Sequence, residues 1–209
     1  TYAQTPITIG DGSTQSQIVP LMADYEYNLS QQIYLQEEIG IDAGTISSIA
    51  FYASSNFTRN ISVYMVNTDK SSFTSSNGDF IALPEGSLLY EGEVSFKMED
   101  WTTIEFQTPF SYTGSNLMLC VYDHTGEYIA VAPSFKAYSA TDGVQRTAGV
   151  FSYGALLEEF VNGGTLESER PGNFWDFSEY YDPETVAITR SQIKLTVTTN
   201  EGGGEGGED

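Results

Sequence analysis

A chain of 209 residues with 40% hydrophobic and 13% aromatic residues can bury one sizeable core, which excludes both a large multidomain enzyme and a wholly disordered polymer. Eight Lys and Arg stand against 29 Asp and Glu, a net charge of -21, so nucleic acid and anionic membrane surfaces are excluded as default partners for want of clustered cations. Carboxylates in such excess suit Ca²⁺, cationic partners or plain solubility.

The periodicity along the chain is that of strands. Pro6 to Gly10 and Ser30 to Leu35 are the first expected strands, and Gln36 to Ile39 can make a turn of helix. Ile46 to Tyr52 is rich in β-branched and aromatic residues and bounded by Gly44 and by Ser54 and Ser55, which predicts a strand. Ile61, Val63 and Met65 alternate with Ser62, Tyr64 and Val66, the pattern of a half-buried strand. Ser87 to Phe96 and Trp101 to Phe106 follow. Asn116 to Asp123 is a continuous apolar run and predicts a strand buried on both faces. Tyr128 to Ala132, Thr147 to Tyr153 and Arg190 to Thr198 complete the set, with a second short helix expected at Ala155 to Val161.

About ten short strands separated by Gly, Asn and Asp turns predict an all-β fold over residues 1–199, an antiparallel β-sandwich of jelly-roll type. The crossover helices of a parallel α/β fold are missing, and no internal repeat appears. Residues 200–209 carry the run Glu201 to Asp209, Gly-rich and acidic, expected as a flexible linker that makes the sandwich one bead of a longer string. The chain opens at Thr1 and Tyr2 without a signal peptide, so a mature fragment is expected. No apolar stretch reaches the length of a transmembrane segment.

One cysteine, Cys120, excludes an internal disulfide, and with His124 as the only histidine it excludes a zinc cluster. Inside the run Leu117 to Tyr122 it reads as a buried inert thiol. His124 lies in Tyr122-Asp123-His124-Thr125-Gly126, which reads as a turn, and no Gly-x-Ser-x-Gly elbow accompanies it. Paired carboxylates could run glycoside hydrolysis, but among 29 acids some pair falls at a suitable spacing by chance. Gly10 to Ser13 lacks the rest of a phosphate loop. Asp69 to Asp79 does not fit an EF-hand, whereas Asp123 with Glu127, and Asp176, Glu179 and Asp182, flank turns and offer hard oxygen ligands for a structural Ca²⁺ ion. Asn28, Asn56 and Asn60 each open an Asn-x-Ser/Thr triplet, read as chance in a Ser/Thr-rich chain.

The segment Arg170 to Pro183 holds five aromatics, Phe174, Trp175, Phe177, Tyr180 and Tyr181, in a stretch that Pro171, Gly172 and Pro183 mark as a long loop. Trp175, Tyr180 and Tyr181 can stack on the apolar faces of sugars, with Asn173, Asp176 and Arg170 as hydrogen-bonding selectors. In the alternative the same rings plug one end of the sandwich. Trp101, at the start of an alternating strand, is expected in the core or at a sheet edge.

Three stretches carry a family resemblance. They are Tyr27 to Tyr34 followed by Glu37, Glu38, Ile39 and Gly40; Ile46 to Tyr52 with Ile61 to Met65 and then Thr68, Asp69, Lys70, Ser72 and Phe73; and Asp100 to Phe106 with Pro109, Phe110, Tyr112, Gly114 and Asn116 to Asp123. Over roughly Pro6 to Thr199 the chain resembles the β-sandwich repeat domains of secreted, surface-associated adhesin-like proteins of Bacteroidales bacteria, in the style of haemagglutinin and cleaved-adhesin modules. The resemblance implies a jelly-roll-like, non-catalytic module, secreted or at the cell surface. It would be appended to other domains of the same polypeptide, with a glycan or a host or cell-surface protein as partner and Ca²⁺ in some members. No ligand motif of the family maps onto residues of this chain. A spacer domain without a ligand and a hydrolase are the two alternatives.

Overall fold

The computed structural model of the chain describes residues 4–74, 80–154 and 188–199, and the backbone of 174–176. Within them the chain runs through thirteen strands and a single turn of helix: β1 (Gln4–Ile9), β2 (Thr14–Ser16), β3 (Tyr27–Tyr34), α1 (Gln36–Ile39), β4 (Gly44–Ala53), β5 (Phe57–Thr68), β6 (Leu88–Phe96), β7 (Asp100–Tyr112), β8 (Asn116–Asp123), β9 (Phe135–Ser139), β10 (Thr147–Ser152), β11 (Phe174–Asp176), β12 (Thr189–Ser191) and β13 (Ile193–Thr198).

The strands form two antiparallel sheets. Sheet I is seven-stranded, in the order β1-β13-β4-β9-β12, with β7 also on β4 and β2 on β9; sheet II is six-stranded, in the order β11-β10-β3-β8-β5-β6. The pairs β5·β6, β4·β7, β3·β8 and β1·β13 are nested in sequence. A long hairpin folded in this way and wound so that β4 lies on β13 and β5 on β8 is a jelly roll. The strands β9 to β12 fall between β8 and β13 and extend both sheets.

Most expected strands coincide with observed ones, and Asn116–Asp123 is strand β8 with neighbours on both sides. Tyr128 to Ala132 differs. It has no strand pairing; it is linked to the body by the Ile129 amide on the Ala23 carbonyl at 2.7 Å and by Gln17 Nε2, which donates to the Ala132 carbonyl at 2.9 Å, while Tyr128 and Val131 face solvent. The apolar alternation there is real, and Ile129 still packs on the main core. The short strands β2, β9 and β11 carry too few residues for a period to register. The expected helix at Ala155 to Val161 lies outside the described residues.

Side-chain alternation decides the layers. On β8, Leu117, Leu119 and Val121 enter the main core between the sheets, with Ile49, Phe51, Ile61, Val63, Ile104, Leu195 and Val197. Met118, Cys120 and Tyr122 face the other way and join Leu29, Ile33 and Tyr64 in a second cluster covered by Phe73, Phe80, Ile81 and Leu83. The buried Gln31 holds that cover in place: its Nε2 donates to the Ile81 carbonyl at 2.8 Å, and its Oε1 accepts from the Ile81 amide at 2.7 Å. Gly114, between β7 and β8, has φ +84° and approaches the Asp42 carbonyl so closely that a Cβ would collide with it.

The end of the sandwich is fastened by a buried ion pair. Arg59 on β5 donates from Nε to Asp123 Oδ2 at 2.7 Å, with both side chains essentially inaccessible. Its Nη1 reaches the Glu127 carbonyl at 2.6 Å and its Nη2 the Tyr25 carbonyl at 2.9 Å, while Asp123 also accepts from Thr125 and Asn28. Removing one member leaves the other charge buried, which costs about 3–5 kcal/mol. Asp123→Ala is therefore expected to lower the melting temperature by roughly 10 °C in a chain of this size, and the double variant Arg59→Met, Asp123→Leu to regain part of the loss. Calorimetry on the three proteins checks this; a single variant melting with the wild type would show that the pair holds nothing.

Candidate functional site

The residues expected to act fall into separate parts of the fold. Arg170, Asn173, Tyr180, Tyr181 and Asp182 lie outside the described residues. Trp175 and Asp176 belong to β11, where Trp175 is opposite Phe151 and Asp176 opposite Val150; this part of the expected loop is an edge strand of sheet II. Asp123 is engaged at both carboxylate oxygens, by Arg59 and Asn28 at Oδ2 and by Thr125 at Oδ1, and Glu127 contributes its backbone carbonyl to the same network. Among the described residues no three His, Cys, Asp or Glu side chains gather in the manner of a metal site.

An aromatic face that nothing in the sequence marked as a unit lies on the outer side of sheet I. Tyr52 on β4 and Trp101 on β7 are directly opposite in register and pack edge to face, ring centres 5.8 Å apart at 86°, a geometry that suits the aromatic quadrupole. Lys136 on β9 places Nζ 4.0 Å over the Tyr52 ring, and Lys194 on β13 places Nζ 4.3 Å over the Trp101 ring. Lys194 is opposite Ala50, whose small side chain lets the lysine lie across β4 to reach Trp101. Both residues are partly buried, with some surface left open.

Beside Trp101 the two sheets end. Among the described residues β6 pairs only with β5 and β7 only with β4, and between these edges runs an open cleft of about 460 Å³ lined by Tyr90, Glu93, Ser95, Lys97, Trp101, Thr103 and Glu105. Its ends are tied by side chains that reach across. Gln107 on β7 donates to the Glu91 carbonyl at 3.0 Å and accepts from its amide at 3.3 Å; the Lys97 amide donates to Thr102 Oγ1 at 3.0 Å. The result is a held-open groove with aromatic walls and polar tips.

His124, the only histidine, lies against a serine: Ser62 Oγ is 3.2 Å from its Nε2 and 3.4 Å from Glu91 Oε2. Ser62 sits flat in sheet II between Tyr122 and Glu91 and is almost wholly buried. A nucleophile needs donors aimed at a developing oxyanion, and the backbone around Ser62 is committed to the strand ladder on both sides.

A second cavity, about 260 Å³, brings carboxylates together, Glu38 and Asp142 with Tyr138, Arg146 and Arg190. Burial alone pushes the Glu38 carboxyl up, but hydrogen bonds from Arg190, from the Leu35 amide and from Tyr138 outweigh it and hold the group below its ordinary 4.5. Arg190 reaches it at 2.6 and 2.8 Å. Asp142, half-exposed, is drawn well below the usual carboxylate range by Arg146 and the Val144 amide. Neither carboxyl is kept protonated near neutrality as a general acid must be. A carboxyl depressed in the folded state stabilises above its unfolded value and loses that stabilisation as pH falls through its folded one. Glu38→Gln is thus expected to be less stable than the wild type near pH 7, with the gap narrowing as pH falls below the ordinary carboxyl value of 4.5. Denaturant melts of both proteins across that range test it, and a gap that stays constant with pH would show that Glu38 acts by shape alone.

Comparison with known protein families, with curated proteins and with solved structures finds no match to this chain, so function is argued from the geometry of the site.

Proposed function

We propose that the protein is a non-catalytic adhesion module, secreted or at the cell surface beside other domains of the same polypeptide, that binds glycan at the Tyr52–Trp101 face and the adjoining β6–β7 cleft. One observation carries it: a partly buried Trp101 packed edge to face on Tyr52 lines a 460 Å³ groove in which Tyr90, Val94 and Ile104 stand beside hydroxyls, carboxylates and an ammonium. Sugars present apolar C–H faces and a rim of hydroxyls, and a ring beside fixed donors and acceptors serves both. The non-catalytic reading draws support from the cavity acids, both held ionised by arginine.

The aromatic segment around Trp175 is a separate candidate for the same function. β11 is one edge of sheet II and β6, which forms the cleft, is the other. A glycan array probed with the wild type, Trp101→Ala and Trp175→Ala, with added Ca²⁺ and again in chelator, separates them. The expected result is a hit that weakens roughly tenfold in Trp101→Ala and persists in Trp175→Ala. Loss in Trp175→Ala alone would move the site to that segment, and silence across the array would favour a spacer domain. Loss in chelator would support the Ca²⁺ expectation attached to Asp176 and Asp182.

A further inference from the structure

We infer that the ligand of the Tyr52–Trp101 face is an anionic glycan, one bearing carboxylate or sulfate groups. This inference rests on the glycan-binding reading and gives it a substrate class.

The distribution of cations carries it. The chain has four lysines and four arginines against 29 acids. Arg170 lies outside the described residues; Arg59, Arg146 and Arg190 are turned onto Asp123, Asp142 and Glu38. Of the lysines, Lys70 lies over Phe73, on the covered side of sheet II. The other three, Lys97, Lys136 and Lys194, stand around Trp101 and Tyr52. Among the described residues none of the three forms a salt bridge, although carboxylates outnumber them heavily. A surface of net charge -21 has concentrated its uncommitted ammonium groups on one aromatic face.

The way they are held matters. Lys136 and Lys194 rest on ring faces, and an exposed cation–π contact is worth only about 0.5–1 kcal/mol. It orders the side chain without neutralising it, so donors remain for an incoming anion. An ion pair to a protein carboxylate would have consumed them. Lys194 also covers a Trp101 face and does not line the cleft. The site therefore divides: the cleft, where Lys97 stands among Glu93, Glu105, Ser95 and Thr103, suits neutral hydroxyls, and the rings topped by Lys136 and Lys194 beside it suit the acidic substituent.

The test uses matched polymers: polygalacturonate, its fully methyl-esterified form, a neutral galactan and a sulfated galactan, titrated against the 209-residue chain at about 0.15 M salt, where long-range repulsion from the acidic surface is screened. The expected result is binding to polygalacturonate or to the sulfated galactan at least tenfold tighter than to its uncharged counterpart. That preference should be removed in Lys136→Gln, Lys194→Gln, whose melting temperature stays close to the wild type because both positions are on the surface. Whichever of the two charged polymers binds tells carboxylate from sulfate. Equal binding to charged and uncharged forms, or a preference that survives the double variant, would overturn the inference and leave glycan binding standing. No binding to any of the polymers, together with silence on the array, would overturn both.

Discussion

Among the described residues, sheet II carries an apolar cover on its outer face and sheet I carries none, and this asymmetry separates a second buried layer from an open pleated face. The outward sides of β3, β8 and β10 present Leu29, Ile33, Met118, Cys120, Tyr122, Ala148 and Val150, and Phe73, Phe80, Ile81 and Leu83 pack on them, held by the double hydrogen bond of Gln31 to Ile81. Burying a second apolar layer adds to the hydrophobic stabilisation and uses up that surface. The outer face of sheet I carries Ser, Thr, Lys, Glu105 and two large aromatics instead, and among the described residues no apolar layer covers it. A flat pleated surface brings residues from β9, β4, β7 and β13 side by side at the strand spacing of about 4.8 Å. Tyr52, Trp101, Lys136 and Lys194 become neighbours for that reason.

The cations are sorted by chemistry. Guanidinium groups, planar and weakly hydrated, are suited to buried pairs, and Arg59, Arg146 and Arg190 each bind a carboxylate while donating further to backbone carbonyls. Arg59 and Asp123 together tie β5, β8 and the segments at Tyr25 and Glu127 at one end of the sandwich. Arg190 and Glu38 tie α1 to β12. Ammonium groups, strongly hydrated, are left outside. Most of the other described acids are exposed, where water solvates their charge.

Several residues changed meaning between chain and fold. Asp123 and Glu127 flank a turn, as a Ca²⁺ loop would require, yet the turn is used to receive Arg59, a residue far away in sequence that carries no local signal of its role. His124 does meet a serine, but one in the middle of a flat sheet. Trp101 was expected in the core or at a sheet edge, and it lies on β7, which among the described residues pairs only with β4; its partnership with Tyr52 and two lysines was not legible, because each belongs to a different strand.

The sequence by itself determined the all-β class, most of the strands, the buried Cys120 and the double-sided burial of β8, since these follow from local alternation and apolar runs that hold in any arrangement of the strands. Only the tertiary structure decided the nesting of the hairpin into a jelly roll, the pairing of Arg59 with Asp123, and the assembly of an aromatic, lysine-topped face beside a cleft. Those depend on which strands lie next to one another and in what register, a choice made by the packing of the whole core and written in no single stretch of the chain.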